Sequence, residues 1–109
     1  MTQPATRCAP WPGVEIRLLV ALERVAAAGS FSGAAQQLGY TQSAVSGQIV
    51  ALERAVGARL IERVRGGRSL RLTREGEALC RHAVAITARV AAAQAELAGL
   101  RDSPRLRAV

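Results

Sequence analysis

Two closely spaced helices between Gly29 and Gly57 constrain the fold of this chain more than any other segment. The first is predicted to end at a turn formed by Gly39 and Tyr40, and the second to begin at Thr41 with a polar, uncharged leading turn. Apolar residues at i, i+4, i+7 and i+11 give the second helix one buried face: Val45, Ile49, Leu52 and Val56. Two helices joined this tightly are typical of the helix-turn-helix motif, whose second helix enters the major groove of DNA.

The composition favours a basic, mainly helical protein. Half of its 109 residues are hydrophobic but only 3% are aromatic, so the core must consist of close-packed aliphatic side chains. A chain of this length forms one domain with an extension. The net charge is +7 and all fifteen basic residues are arginine, which indicates a polyanionic partner, nucleic acid before membrane.

The sequence lacks the residue patterns that metal binding, catalysis or membrane insertion would require. Cys8 and Cys80 lie far apart and His82 stands alone, so no metal and no cofactor is expected. The sequence shows neither a nucleophile paired with a base nor a phosphate-binding loop, so an enzyme is not expected. The N-terminus has no signal-peptide core, and Arg89 and Glu96 interrupt the alanine-rich segment, so no membrane span is expected. We expect a cytoplasmic, nucleoid-associated protein.

The remaining helices are predicted from their apolar spacing and their end signals. Residues 1–12 are expected to form a disordered arm, followed by a helix from Val14 to Ala28. Ser32 is predicted to cap the next helix, which ends at Leu38, and Thr41 to cap the third, which ends near Gly57.

A hairpin is predicted after the third helix. Leu60-Ile61 and residues 70–72 resemble short strands on either side of a glycine pair, which is a hairpin signal. This hairpin would form a wing with arginines at its tip. The expected fold is mainly α, a winged helix-turn-helix of three helices and a two-stranded wing over residues 13–73, followed by a long linker helix over residues 74–100.

The linker helix, with Thr73 as its predicted N-cap, carries an apolar heptad seam. The seam positions, spaced 4, 3, 4, 3, 4 and 3, are Leu79, Ala83, Ile86, Val90, Ala93, Leu97 and Leu100. Because so small a domain cannot cover the whole stripe, we predict that it forms a dimer interface. The alternative is that the stripe folds back on its own domain.

These motifs together resemble the N-terminal DNA-binding domain of the LysR-type transcriptional regulators. The resemblance rests on GSFSGAAQQLGYTQSAVSGQI, ALE, VGARLIER and LTREGE in this order, and it covers residues 14–100. Ile61 stands where the family usually has Phe, the wing is slightly longer than usual, and Val50 and Ala51 occupy positions that are often basic in the family. These departures put in doubt a contact carried over from the family to the middle of the recognition helix.

The resemblance also implies a ligand-responsive regulator with a C-terminal effector-binding domain. Residues 101–109 resemble the hinge and the start of that domain, so a truncated chain is expected rather than a natural small protein. The small-molecule inducer would act through the effector domain, and no inducer site is expected in these residues. Full-length members commonly pair further into tetramers.

Base contacts are predicted for four residues of the third helix: Gln42, Ser43, Gly47 and Val50. Glutamine can pair with adenine and serine with several bases. Gly47 either lets the helix approach the groove floor or is a tolerated substitution. Val50 either meets a thymine methyl or is an incidental exposed apolar residue. Backbone contacts are predicted for Ser32, Thr41, Ser46, Arg54, Arg63, Arg65 and Arg68, the last two in the minor groove or on phosphates.

The sequence therefore predicts sequence-specific binding of double-stranded DNA by a homodimer, with half-sites about one helical turn apart. A second hypothesis is an interaction protein that titrates full-length regulators through the seam and needs no strong DNA affinity. Replacement of Arg65 and Arg68 by alanine would leave that second function intact.

Overall fold

A computed structural model of the chain describes residues 11–63 and 69–102, apart from the side chain of Arg63. Four helices and two strands follow one another as α1 (Ile16–Ala28), α2 (Phe31–Leu38), α3 (Gln42–Val56), β1 (Ile61–Arg63), β2 (Leu70–Leu72) and α4 (Arg74–Arg101). The fold is mainly helical with a small antiparallel hairpin, as the sequence predicts. Residues 1–10 of the arm predicted over 1–12, residues 64–68 at the wing tip, and residues 103–109 of the hinge predicted from 101 lie outside the described residues.

Helices α1, α2 and α3 surround an aliphatic core. Its largest fully buried side chains include Leu22 and Val25 of α1, Ile49 and Leu52 of α3, and Leu60. Full burial of one such side chain contributes about 1.5–3 kcal/mol to folding. The apolar stripes of the sequence therefore face one another.

The helix-turn-helix is shaped by its caps. Gly39 ends α2 with a left-handed φ of 73°, which costs a residue without a Cβ little. The N–H groups of Gly39 and Tyr40 both donate to the carbonyl of Ala35. Thr41 then caps α3 by accepting a hydrogen bond from the N–H of Ala44 at 3.1 Å. The turn between the two helices is thus fixed by local hydrogen bonds.

Three element boundaries before the linker helix differ from those predicted from the sequence. Ser30, not Ser32, caps α2, because its hydroxyl accepts from the N–H of Gly33 at 3.0 Å and the buried Phe31 already belongs to the helix. Helix α1 begins at Ile16 rather than at residue 14. Strand β1 begins one residue later than predicted, since Leu60 is buried in the core before the ladder starts at Ile61.

Helix α4 has two different apolar rows. Gly76, Cys80, Ala83 and Thr87, spaced 4, 3 and 4, lie toward the domain: Gly76 and Ala83 are buried and the other two are half-buried. A second row, about a quarter turn away on the helix surface, is mostly exposed. It consists of Leu79, Ile86, Val90, Ala93, Leu97 and Leu100. The predicted seam is therefore divided, with Ala83 covered by its own domain and most of the other positions open.

By length and composition, α4 is the one helix among the described residues that could cross a membrane. Its apolar content is largely alanine, and Arg81, Arg89 and Glu96 lie within it. Past Val84, which is exposed on another side of the helix, the larger apolar side chains lie along one row. This arrangement suits pairing with another helix better than contact with lipid on all sides.

Candidate nucleic-acid interface

Helix α3 presents a polar leading end to solvent. Burial of Val45, Ile49 and Leu52 holds the helix to the core and fixes which side faces outward. Gln42 and Ser43, its first two residues, are exposed. Val50, two turns further along, is 42% exposed. These three predicted base-contacting residues therefore lie on accessible surface.

Gly47 leaves an open notch in the exposed surface of α3. A Cβ placed on it would meet no other atom within 4 Å, so nothing in the packing of the domain requires glycine here. A helix-interior glycine at an exposed position costs about 1 kcal/mol relative to alanine. Glycine at position 47 therefore lowers the stability of α3, and no contact inside the domain compensates for this loss.

A groove of about 280 Å³ runs beside α3. Ser46 and Val50 form its edge on α3, and Phe31, Arg59 and Ile61 complete it from the start of α2 and the base of the wing. Ser46 is half-buried in this setting. The groove brings the middle of α3, the beginning of α2 and the wing onto one surface.

Glu53 joins α3 to the base of the wing. Its carboxylate accepts hydrogen bonds from the N–H groups of Leu60, at 2.9 Å, and Ile61, at 3.3 Å. Arg59 places its Nε 3.9 Å from the same carboxylate, but its side chain is 76% exposed, so this ion pair adds little stability. The two backbone hydrogen bonds fix the position of β1 relative to α3.

The start of α4 is joined to the same point. The hydroxyl of Thr73 donates to the carbonyl of Arg59 at 2.6 Å and accepts from the N–H of Gly76 at 2.9 Å. The N–H of Thr73 donates to the carbonyl of Leu60 at 2.9 Å. A Cβ on Gly76 would lie 2.1 Å from that carbonyl oxygen, so only glycine fits this approach. We call residues 59–61 with Glu53, Thr73 and Gly76 the joint.

The predicted backbone-contacting residues are found at several places. Ser32, in the first turn of α2, and Arg54, near the end of α3, are exposed. The hydroxyl of Thr41 accepts the capping hydrogen bond, so its own proton is available for a phosphate oxygen. The side chain of Arg63 and all of Arg65 and Arg68 lie outside the described residues.

Arg59 and Glu53 were not predicted as functional residues. Both fall within the motifs that carry the family resemblance, and this was the only signal that could have found them. Glu53 bonds to residues seven and eight positions away, a distance at which helical periodicity says nothing. Arg59 reaches the groove through the fold of the wing, not through α3.

Cys80, on the domain-facing row of α4, is half-buried. Burial raises the pKa of its thiol above the ordinary value, and the nearby carboxylate of Glu23 raises that pKa further. No cluster of three metal-ligating side chains occurs in residues 11–63 and 69–102.

A tightly turned helix pair, an exposed polar leading end on its second helix and a hairpin joined to that helix define a winged helix-turn-helix DNA-binding domain. The chain belongs to the lysR family of bacterial regulatory helix-turn-helix proteins, whose family model matches residues 16–77. Membership points to a regulator rather than an enzyme and implies a cytoplasmic location.

Relatives and solved structures agree with this assignment. The HTH-type transcriptional regulator CfxR of Cupriavidus necator is 41% identical over 87 residues, which are 80% of this chain and 27% of that protein. A DNA complex of the CbnR DNA-binding domain is 36% identical with a TM-score of 0.64, covering 87% of this chain and 97% of that one. The BenM DNA-binding domain on its catB site 1 DNA is 29% identical with a TM-score of 0.76, covering 83% and 95%. The chain spans about a quarter of the length of the curated relatives it matches.

Proposed function

We propose that this chain binds double-stranded DNA sequence-specifically as a homodimer. The observation that carries the proposal is one accessible surface that combines the polar start of α3, the notch at Gly47 and the groove beside the wing. The similar DNA-binding domains of CbnR and BenM have been solved on DNA. In a full-length regulator of this family, an effector-binding domain would add the response to a small-molecule inducer, and dimers would pair into tetramers.

Gln42 and Ser43 contact base edges in this proposal. They occupy the leading end of α3, the part of a recognition helix that reaches the bases. Gly47 allows α3 to lie close to the groove floor, because an added side chain there would project into the space that DNA would fill. Val50, at the edge of the protein groove beside α3, contacts a thymine methyl group.

Phosphates are held around this surface. Ser32 and Thr41 lie at the N-terminal ends of α2 and α3, where backbone N–H groups favour an anion. Ser46 and Arg54 of α3 and Arg63 of β1 contact the flanking DNA backbone. Arg65 and Arg68 of the wing contact the minor groove or phosphates. The net charge of +7 supports such contacts, which weaken as the salt concentration rises.

Dimerisation uses the exposed row of α4. Leu97 is 60% exposed and Leu100 39%, and burial of such side chains against a second copy would remove the row from water. Leu79, Ile86, Val90 and Ala93 complete the proposed interface, and Ala83 is left out because it has no exposed surface. We assign residues 13–73 to the DNA-binding unit, 74–101 to the linker helix, which ends at Arg101 rather than at residue 100, and 102–109 to a hinge.

Selection from a pool of randomised duplexes, with sequencing of the recovered DNA, tests this function. A dyad-symmetric motif is expected, with half-sites about one helical turn apart. Recovery without any motif would contradict sequence specificity and leave a basic module that holds DNA through phosphates. No recovery at low salt would contradict DNA binding and favour an interaction protein that titrates full-length regulators.

A further inference from the structure

We propose that Glu23 of α1 and Thr87 of α4 form a positioning pair that sets the tilt of the linker helix, and through it the half-site separation that the dimer accepts. This inference rests on the proposed DNA binding by a dimer. Neither residue belongs to the DNA-facing surface or to the exposed row of α4.

The two side chains are joined by a short hydrogen bond. The hydroxyl of Thr87 donates to Oε1 of Glu23 at 2.7 Å, across 64 positions of sequence, and both residues are half-buried. The same hydroxyl lies 3.3 Å from the carbonyl of Val84 in its own helix. Because a threonine hydroxyl has a single proton, the shorter contact to the carboxylate is the stronger one.

Apolar packing alone does not explain a carboxylate at this position. Glu23 follows the fully buried Leu22 on α1, and its neighbours toward α4 include Cys80, the pKa of whose thiol it raises. Apolar contacts between helices tolerate small sliding and rotation, since the hydrophobic effect is non-directional. A hydrogen bond to a carboxylate is directional and fixes both the rotation and the tilt of α4.

Among the described residues, Thr87 is the last residue along α4 that forms a hydrogen bond to another element of the domain. From Ala88 to Arg101 every residue is exposed except Val90 and Ala98, which are half-buried. The helix rises about 21 Å from Thr87 to Arg101 at about 1.5 Å per residue. A tilt of about 10° would move its end by about 4 Å, close to one base-pair step of duplex DNA.

In a two-fold symmetric dimer, a change of this tilt occurs in both subunits. In a dimer joined through the exposed rows, the Glu23–Thr87 bond of each subunit connects the domain that carries the recognition helix to the helix that carries the interface. Any change of tilt therefore alters the distance and angle between the two recognition helices. We accordingly expect the pair to act on the spacing between half-sites and not on the recognition of either half-site.

The test measures affinity for duplexes in which the selected half-sites are moved apart or together by one and two base pairs, and for a duplex with a single half-site. Thr87→Val removes the hydroxyl at nearly constant shape, and Glu23→Ala removes the acceptor. Both should change the ratio of affinities between the preferred and neighbouring spacings by roughly 3- to 30-fold while single half-site affinity is kept. Thr87→Ser and Glu23→Gln keep a donor and an acceptor and should restore the original spacing profile.

An unchanged spacing profile in Thr87→Val and Glu23→Ala, with dimer mass and thermal unfolding like those of the unmodified chain, would overturn the inference. Equal losses on all duplexes, the single half-site included, would also overturn it, because they indicate damage to the domain rather than a change of geometry. Failure of the unmodified chain to bind the duplex with the preferred spacing would instead reject the proposed function, and the inference with it.

Discussion

The two halves of helix α4 differ in what surrounds their apolar side chains. Up to Thr87, one face of the helix is packed against its own domain, with Gly76 and Ala83 buried. Past Thr87, the helix projects with Leu97 and Leu100 exposed. The first half is stabilised within one chain, whereas the second half depends on a partner to remove its apolar surface from water.

A matched pair of glycine substitutions is expected to show the largest difference between the two halves. Gly76→Ala would drive a Cβ against the carbonyl of Leu60 and should lower the free energy of unfolding by about 3 kcal/mol. The corresponding loss in Tm is roughly 10 °C or more. Gly99→Ala, which meets no atom within 4 Å, should leave Tm unchanged or raise it slightly. Equal Tm values in thermal unfolding would contradict the close approach at the joint.

A charge on the exposed row is expected to break the dimer without unfolding the domain. Val90→Asp, and likewise Ile86→Asp, would place a carboxylate in the proposed interface and should weaken dimerisation by about 2 kcal/mol, or roughly 30-fold. Ala88→Asp, on the far side of the helix, is the control. Analytical ultracentrifugation that finds the same dimer mass for all variants would reject the exposed row as the interface.

Gln42→Ala should weaken binding to the selected motif by roughly tenfold and leave binding to random duplex nearly unchanged. The reason is that a base contact contributes to specific binding only. Gln36→Ala, at an exposed position of α2, serves as a comparison for surface changes in general. Equal losses on motif and random DNA, measured by fluorescence anisotropy, would show that Gln42 does not contact bases.

Gly47→Ala should separate folding from DNA binding. The open space at this position predicts a gain of up to about 1 kcal/mol in the free energy of unfolding. If α3 lies close to the groove floor, the same methyl group should lower DNA affinity. A more stable variant with unchanged affinity would favour the view that Gly47 is a tolerated substitution.

The smallest effect is expected at Cys80, on the packed half of α4. Because burial and Glu23 raise the pKa of the thiol, the thiolate forms at higher pH than in an unfolded chain, and alkylation at pH 8 should be slower. Glu23→Gln removes the second cause and should shift the pH profile of alkylation downward. The measurement uses Cys8→Ser as background, with urea-unfolded protein as reference. A profile identical to that of the unfolded chain would show that the thiol is not shielded.

Most of the fold could be predicted from the sequence because its signals are local. Apolar spacing located the helices, and the Thr41 cap and the glycine stops set most of their ends. The cap of α2 was misassigned because Ser30 and Ser32 are both acceptable capping residues, and only the burial of Phe31 decides between them.

Contacts distant in sequence could not be predicted in this way. A heptad pattern cannot tell which positions its own domain covers, so Ala83 was grouped with the exposed row. The hydrogen bonds of Glu53 to the wing and of Glu23 to Thr87 depend on how the elements pack. The base and phosphate contacts remain predictions, which the substitutions at Gln42 and Gly47 address.

The joint has a consequence for how the length of the chain can vary. The peptide groups of Leu60 are bound on one side by Glu53 and on the other by Thr73, while Gly76 packs directly against its carbonyl. An inserted or deleted residue between Gly57 and Leu60 would shift all of these partners at once. Between β1 and β2, in contrast, the ladder from Ile61 and Leu72 to Arg63 and Leu70 keeps its register whatever the length of the connection. Related chains should therefore differ in length at the wing and hardly ever at the joint.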